Sequence, residues 1–175
     1  MWRGVVVSLH TAPEHGAPTE ERERVRAVAG RGLEGDRYFR DSAAGPGTGR
    51  AVGRSTGICE VSLIDIAALL AAERDHGVPL SPAECRRNIV CAGVPLAELA
   101  GQDFTIGAVR LRGTGLSEPC ARLEHLTRPG VLRALLHHGG LRARVLTGGV
   151  MRAGDTVRPG APAEPVPRAP SAPLR

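Results

Sequence analysis

Short runs of aliphatic and β-branched residues, separated by glycine and proline, constrain the fold of this chain more than any other feature. Such runs occupy residues 5–9, 58–64, 104–106 and 141–146, and 23 glycines and 14 prolines are spread over the 175 residues. A doubly wound parallel fold needs strands that alternate regularly with longer helices, and the pattern here is not that regular. We therefore expect a mainly β protein, a closed or nearly closed β-barrel with two or three small appended helices.

The predicted strands are short and follow one another closely. Gly107 and Ala108 separate two of them by the two residues that suit a tight hairpin turn. The polar residues 10–23 are expected to form a loop. The predicted strands are residues 5–9, 24–29, 58–64, 89–90, 104–106, 109–112, 141–146 and 155–158.

Helices are expected in three places. Asp65 is a suitable N-cap for the first helix. The run Ser81-Pro82-Ala83-Glu84 has the spacing of a capping box, which predicts a short second helix leading to residues 86–88. A third helical region follows Cys120 and is broken at residues 129–130.

The length of the chain predicts a single domain, which we place at residues 1–158. Residues 159–175 are dominated by proline and alanine without an apolar period, so we expect a disordered tail. Residues 41–57 are rich in glycine, serine and alanine and are expected to form a mobile surface loop. The N-terminal apolar run is too short for a signal peptide and no run of 18 apolar residues occurs, so the expected location is cytoplasmic.

The net charge of +5 gives only a weak indication of a partner. All 23 basic residues are arginine, which together with the many glycines and prolines indicates a codon bias toward G and C. One Trp, one Tyr and two Phe leave few rings on which bases stack. We expect no membrane partner, and a basic nucleic-acid-binding module is the weakest of three functional hypotheses.

One cysteine is a candidate for chemistry. The four cysteines (Cys59, Cys85, Cys91 and Cys120) form no Cys-x-x-Cys pair and have no zinc-like spacing with histidines, so free thiols are expected. Cys120 lies at the predicted start of a helix, where free N–H groups and the nearby Arg122 stabilise a thiolate. A thiolate is a nucleophile and a soft ligand for a metal such as molybdenum. The alternative, a buried and inert cysteine, stays open.

Two further stretches are candidates for binding an anion. In Arg86-Arg87-Asn88, the guanidinium groups match phosphate oxygens and the amide matches the edge of a heterocycle. In Gly32-Leu33-Glu34-Gly35-Asp36-Arg37, two glycines accompany a carboxylate and a guanidinium, with a spacing that fits neither a Walker loop nor a dinucleotide fingerprint. Arg54 is a further candidate. A solvated basic pair and a purely structural turn remain the alternatives.

Taken in order, several stretches resemble the MOSC domain, which forms the C-terminal domain of molybdenum-cofactor sulfurases and also occurs as small stand-alone bacterial proteins. The similarity covers roughly residues 3–158. The stretches are residues 32–37, Val61-Ser62-Leu63-Ile64, Arg87-Asn88-Ile89-Val90 with Gly93 and Leu96, Phe104-Thr105-Ile106-Gly107, Glu118-Pro119-Cys120, residues 139–143, and Gly154-Asp155.

The resemblance implies a β-barrel and a pocket for the molybdenum cofactor, a molybdopterin. It implies that Cys120 either carries sulfur as a persulfide or ligates molybdenum. A pyridoxal-phosphate cysteine desulfurase supplies the sulfur in this family, and it would be a separate partner here. By position, Arg87 and Asn88 match the family's stretch near the pterin and its phosphate, and Arg86 lies beside them.

The sequence also departs from the family pattern. Many stand-alone members have His where this chain has Tyr38, and many have Gly-Glu-Asn at residues 86–88. The second variant resembles members related to the sulfurases and to amidoxime-reducing proteins. Molybdenum-dependent reduction of N-hydroxylated compounds, with an electron-donor partner, is therefore the alternative to sulfur transfer. It is the weaker one, because the N-terminal β-barrel domain that accompanies this activity is not in the sequence.

Overall fold

The structure is a computed structural model that describes residues 1–40 and 59–160. The predicted surface loop with Arg54, and residues 161–175 of the predicted tail, lie outside the described residues. Within the described part the strands are β1 (Gly4–Thr11), β2 (Glu20–Arg22), β3 (Arg24–Val28), β4 (Gly32–Leu33), β5 (Val61–Asp65), β6 (Ile89–Ala92), β7 (Asp103–Ile106), β8 (Val109–Leu116), β9 (Leu141–Thr147), β10 (Gly149–Arg152) and β11 (Thr156–Pro159). The α-helices are α1 (Ile66–His76), α2 (Ala121–Leu126) and α3 (Val131–Ala134), and a 3₁₀-helix spans Leu96–Leu99.

Seven strands close into a barrel in the order β1, β11, β7, β8, β9, β5, β6. The barrel closes where β1 pairs with β11, with Gly4 opposite Val157 and Val5 opposite Thr156. Neighbouring strands are antiparallel except β5 and β6, which are parallel and are connected through α1. The mainly β barrel with small helices is therefore confirmed.

Three short strands (β2, β4 and β10) were not predicted, and several predicted strands are longer than expected, with β8 extending to Leu116. Residues 10–23 are not wholly a loop, because β1 extends to Thr11 and β2 pairs with its end. The strand β2 is polar and exposed along its whole length, so no apolar alternation marks it in the sequence. A separate small sheet is formed by β10, β3 and β4. Pro159, the first residue of the predicted tail, is the last residue of β11.

Two apolar clusters stabilise the fold. The first fills the barrel with aliphatic side chains and Phe104. The second lies outside the barrel, where the three helices cover Ile64 of β5 and Val90 of β6. Because side chains alternate along a strand, residues 61 and 63 face the inside of the barrel and residues 62 and 64 face outward.

The first predicted helix is confirmed and the second is wrong. Asp65 caps α1, since its Oδ1 accepts a hydrogen bond from the Ala67 N–H at 2.9 Å. The capping box also forms, with both Ser81–Glu84 hydrogen bonds present. It starts only a single turn, because Arg86 adopts a left-handed conformation (φ +59°) that directs the chain into β6.

Gly140 allows the chain before β9 to pass close to β5. Its φ is +108°, and a Cβ there would overlap the carbonyl oxygen of Leu63. Gly154 also has a positive φ, of +88°, but a Cβ added to it would meet nothing within 4 Å.

Gly140→Ala is expected to destabilise the fold much more than Gly154→Ala. The positive φ alone costs about 1–2 kcal/mol in either variant, and relief of the overlap adds about 1–3 kcal/mol at position 140 only. Chemical denaturation measures both free energies of unfolding. Equal losses in the two variants would contradict the close approach of the chain at residue 140 to β5.

Glu60 is a fully buried carboxyl group in the barrel wall. Its Oε2 accepts a hydrogen bond from the Val145 N–H at 2.8 Å, and within the described residues its Oε1 has no partner. Burial raises the pKa of Glu60 above its ordinary value of 4.5, against the opposing effects of the Val145 N–H and the charges of Arg144 and Arg40.

Because the folded state holds this proton more tightly, the contribution of Glu60 to stability is fully present below its ordinary pKa of 4.5. It is lost as the pH rises through the raised pKa. Glu60→Gln removes this titration. As the pH rises, the free energy of unfolding of the variant is therefore expected to increase relative to that of the wild type. Glu73→Gln, which removes a carboxyl group at an exposed position of α1, is the control. A Glu60→Gln profile parallel to that of the wild type would contradict the prediction.

Candidate functional site

A cavity of about 570 Å³ lies on the outer face of the barrel. Ser62 of β5 and its cross-strand neighbour Arg142 of β9 form part of its wall. The turn before β6, the segment after β8 and α2 form further parts of the wall, together with residues 15–16, 37–38 and 59. The cavity is rich in guanidinium groups, and its lining includes Arg37, Arg86, Arg87, Arg122 and Arg142.

Arg87 connects two of the segments that surround the cavity. Its Nε donates to the carbonyl oxygen of Gly139 at 2.8 Å, and its Nη2 donates to that of Ser117 at 3.2 Å. Within the described residues it forms no ion pair, and burial lowers the pKa of its guanidinium group. Arg87 is therefore a positive charge at the cavity wall whose hydrogen bonds, within the described residues, go to neutral carbonyl groups.

Arg37 is positioned by the carboxylate that precedes it. Asp36 is buried, and its Oδ1 accepts hydrogen bonds from the Ala12 N–H at 3.0 Å and from Nη1 of Arg37 at 3.3 Å. Nη2 of Arg37 donates to the carbonyl oxygen of Arg86 at 3.0 Å, and its guanidinium group lies 4.6 Å from the ring centre of Tyr38. Asp36 therefore neutralises Arg37 and fixes its direction.

Arg86 also lines the cavity, and its carbonyl oxygen accepts the hydrogen bond from Arg37. Its Nη1 donates to the carbonyl oxygen of Ala17 at 2.8 Å. The pKa of Arg86 is lowered by burial and next by the charge of Arg37, and the charge of Arg122 acts in the same direction. These cations repel one another, which is the electrostatic condition of an anion site.

Arg142 has an unused donor inside the protein. Its Nη1 is buried and, within the described residues, has no hydrogen-bond partner. Within those residues it also forms no ion pair, although Arg142 lines the cavity. Buried donors are nearly always paired, so an unpaired one beside a cavity favours an acceptor on a ligand.

Cys120 lies at the exposed rim of the same cavity. It is the N-cap residue of α2. The segment before it is pressed against Gly139, where a Cβ would overlap the carbonyl oxygen of Ser117 and come within 2.9 Å of Pro119 Cδ. Glu118 accepts a hydrogen bond from the His137 N–H at 2.9 Å, which fixes the neighbouring carboxylate.

A second thiol, that of Cys59, lies in the buried part of the lining. Burial raises the pKa of Cys59, and the charges of Arg142, Arg87 and Arg37 oppose that rise. These three guanidinium groups are therefore close enough to the cavity floor for their charges to act on it.

The structure places only some of the predicted site residues at the cavity. Cys120, Arg86, Arg87 and Arg37 line the cavity. Asp36 acts behind Arg37. Gly35 is exposed and lies beside a different, smaller depression.

Asn88 has a structural position among the described residues. It is buried, its Oδ1 accepts from both the N–H and the hydroxyl of Ser62 at 3.0 Å, and its Nδ2 donates to the carbonyl oxygen of His10 at 3.2 Å. Its amide connects β1, β5 and the start of β6 and is not part of the cavity lining.

Sequence reasoning missed Arg142 and Cys59 as parts of the site. Arg142 lies in the MOSC-like stretch 139–143, but only its outward position between the inward residues Leu141 and Ala143 marks its side chain as a candidate. Cys59 lies just before β5 and nothing in the sequence connects it with Cys120.

Within the described residues, no His, Cys, Asp and Glu side chains gather into a group of three or more that would hold a metal ion. In the same part of the chain, none of the helices has the length and apolarity required to cross a bilayer. The arginines of the cavity lining can hold an anionic ligand, and Cys120 presents an exposed sulfur beside it.

The protein is of the small β-barrel class, with an arginine-lined cavity and an exposed thiol at the rim of that cavity. The sequence model of the MOSC domain matches residues 55–158, which is more than half of the chain. The chain belongs to the MOSC domain family. No curated protein matches the sequence.

Solved structures share this fold. The YuaD protein from Bacillus subtilis aligns with a TM-score of 0.71 and 22% identity, over 90% of this chain and 97% of that one. YiiM from Geobacillus stearothermophilus aligns with a TM-score of 0.65 and 15% identity, over 90% and 75% of the two chains. YiiM from Escherichia coli aligns with a TM-score of 0.61 and 15% identity, over 93% and 72%.

Cys120 is expected to be the first thiol to react with iodoacetamide, at a rate at least about tenfold above the others. Cys59, Cys85 and Cys91 are buried, and burial raises the pKa of each, that of Cys91 to about 12. Mass spectrometry of peptides from a time course measures the four rates. In Cys120→Ser the fast reaction should disappear; its persistence would show that another thiol is accessible.

Proposed function

We propose that this protein binds the molybdenum cofactor in the arginine-lined cavity, with Cys120 as the residue that carries sulfur or ligates molybdenum. The observation on which the proposal rests is the presence of five arginines and one exposed thiol around a single cavity in a MOSC protein.

The size and charge of the cavity support this ligand. A volume of about 570 Å³ lies within the range of about 300–1,000 Å³ that is common for cofactor and small-molecule sites. Glu118 is the single carboxylate in the described lining, and it is turned toward His137. Asp36 neutralises Arg37, but within the described residues the other four guanidinium groups of the lining form no ion pair. Uncompensated guanidinium groups favour a phosphate, and a thiolate is a ligand type that molybdenum accepts.

The bound cofactor would supply a redox-active molybdenum centre that takes sulfur ligands. The protein supplies the positions of the groups around it. Arg87 holds the segments at Ser117 and Gly139 together, and so fixes the start of α2 with Cys120. Arg37 and Arg86 present further donors at the cavity wall. Asp36 orients Arg37, and the carbonyl oxygen of Ala17 orients Arg86.

Sulfur loading requires a donor protein, and the exposed position of Cys120 makes its sulfur accessible to one. In that step the Cys120 thiolate attacks the outer sulfur of a persulfide on a cysteine desulfurase. The new S–S bond forms on Cys120, the donor's S–S bond breaks, and the donor's cysteine leaves as a thiolate. No external oxidant is needed, because the sulfur moves between two thiols.

The proposal predicts that molybdenum and pterin co-purify with the wild-type chain from a host that makes the cofactor. Metal analysis and pterin fluorescence after oxidation measure both per protein. Cys85→Ser is the matched control, because Cys85 is buried away from the cavity, and its Sγ donates to the Pro82 carbonyl oxygen as a hydroxyl can.

Cys120→Ser distinguishes the two roles of the thiol. Loss of molybdenum with retention of pterin would make Cys120 a metal ligand. Retention of both, with loss of ³⁵S transfer from a desulfurase, would make it a sulfur carrier. A wild-type chain that contains neither molybdenum nor pterin would contradict the proposal.

A further inference from the structure

We propose that Arg142, together with Arg87, forms a subsite for a phosphate monoester dianion at the inner wall of the cavity. Arg142 lies in the stretch 139–143 that resembles the MOSC domain, and the resemblance assigns it no role. The inference rests on the proposed function in one respect, because it places the phosphate end of the same ligand.

Arg142 has a buried donor that is not used within the described residues. Arg142 lies opposite Ser62 in the β5–β9 pair and faces the outside of the barrel, where the cavity lies. Its Nη1 is buried without a partner among the described residues. A buried donor of a charged group without an acceptor is costly, and a ligand oxygen at this position removes the cost.

The positive charges of Arg87 and Arg142 have no carboxylate partner within the described residues, whereas Asp36 compensates Arg37. Both charges act on the same buried thiol, that of Cys59, so the two guanidinium groups flank one region of the wall. Two uncompensated cations in one region match a ligand group with two negative charges.

The guanidinium group is well suited to bind phosphate. Its planar set of N–H donors matches the oxygens of a phosphate, often with two parallel hydrogen bonds. A phosphate monoester carries about two charges above its second pKa near 6. A ligand held at this end leaves its other end free to extend toward the exposed Cys120. The phosphate of a pterin cofactor and a free phosphate monoester share this chemistry.

The experiment uses the full chain from a host that makes no molybdenum cofactor, with methyl phosphate and methyl sulfate as probes in isothermal titration calorimetry. Methyl phosphate should bind more tightly as the pH rises from about 5 to about 8, because it gains its second charge near pH 6. Methyl sulfate stays a monoanion and should bind weakly at every pH. Arg142→Gln should weaken the binding of methyl phosphate at the upper end of this range by at least about tenfold.

Two variants act as controls. Arg133→Gln removes the same charge from an exposed position of α3 outside the cavity and should bind as the wild type does. Arg142→Lys keeps the charge without the planar donor set and should be intermediate, which gives a second test if Arg142→Gln fails to fold. Circular dichroism and thermal unfolding check that each variant is folded.

The outcomes separate this inference from the proposed function. Equal affinities of Arg142→Gln and Arg133→Gln for methyl phosphate, or equal binding of methyl phosphate and methyl sulfate to the wild type, would overturn the subsite. If methyl phosphate binding depends on Arg142 but the protein never retains molybdenum or pterin, the subsite is supported and the proposed binding of the molybdenum cofactor is contradicted. Full retention of pterin by a folded Arg142→Gln would also overturn the subsite and leave the proposed function in place.

Discussion

The two hydrogen bonds from Arg87 to the carbonyl oxygens of Ser117 and Gly139 hold the site together. They join the turn before β6 to the segment after β8 and to the turn before β9, three parts of the chain that are distant in sequence. The bonds require a close approach of backbone to backbone, and glycine at position 139 permits it because a Cβ there would overlap the Ser117 carbonyl oxygen. The position of Cys120 at the rim of the cavity follows from this arrangement.

The barrel provides the rigid surface on which this arrangement lies. Its inward residues form an apolar core, so the outward residues of β5 and β9 are free to take polar identities. Ser62 and Arg142 are such a pair. The amide of Asn88 then satisfies the polar groups below the cavity, since its donors and acceptors are used by Ser62 and His10.

The sequence was sufficient for the barrel because its main signals are local. Gly107 and Ala108 form the predicted hairpin turn between Ile106 and Val109, and Asp65 caps α1 as expected. Local signals did not predict the structure where contacts between residues distant in sequence determine it. The strand β2 consists of exposed polar residues that pair with the end of β1, and the helix expected after Ser81 stops at the left-handed Arg86.

The site was only partly predictable for the same reason. The chemistry of Cys120 and Arg87 is visible in their residue types, but the position of Arg142 at the cavity depends on a cross-strand pairing that no spacing in the sequence encodes. The most direct test of the account is a crystal structure of the chain purified from a host that makes molybdenum cofactor. The account predicts anomalous scattering from molybdenum in the cavity, near Cys120, with phosphate density at Arg87 and Arg142. A molybdenum signal elsewhere on the protein, with an empty arginine-lined cavity, would contradict it.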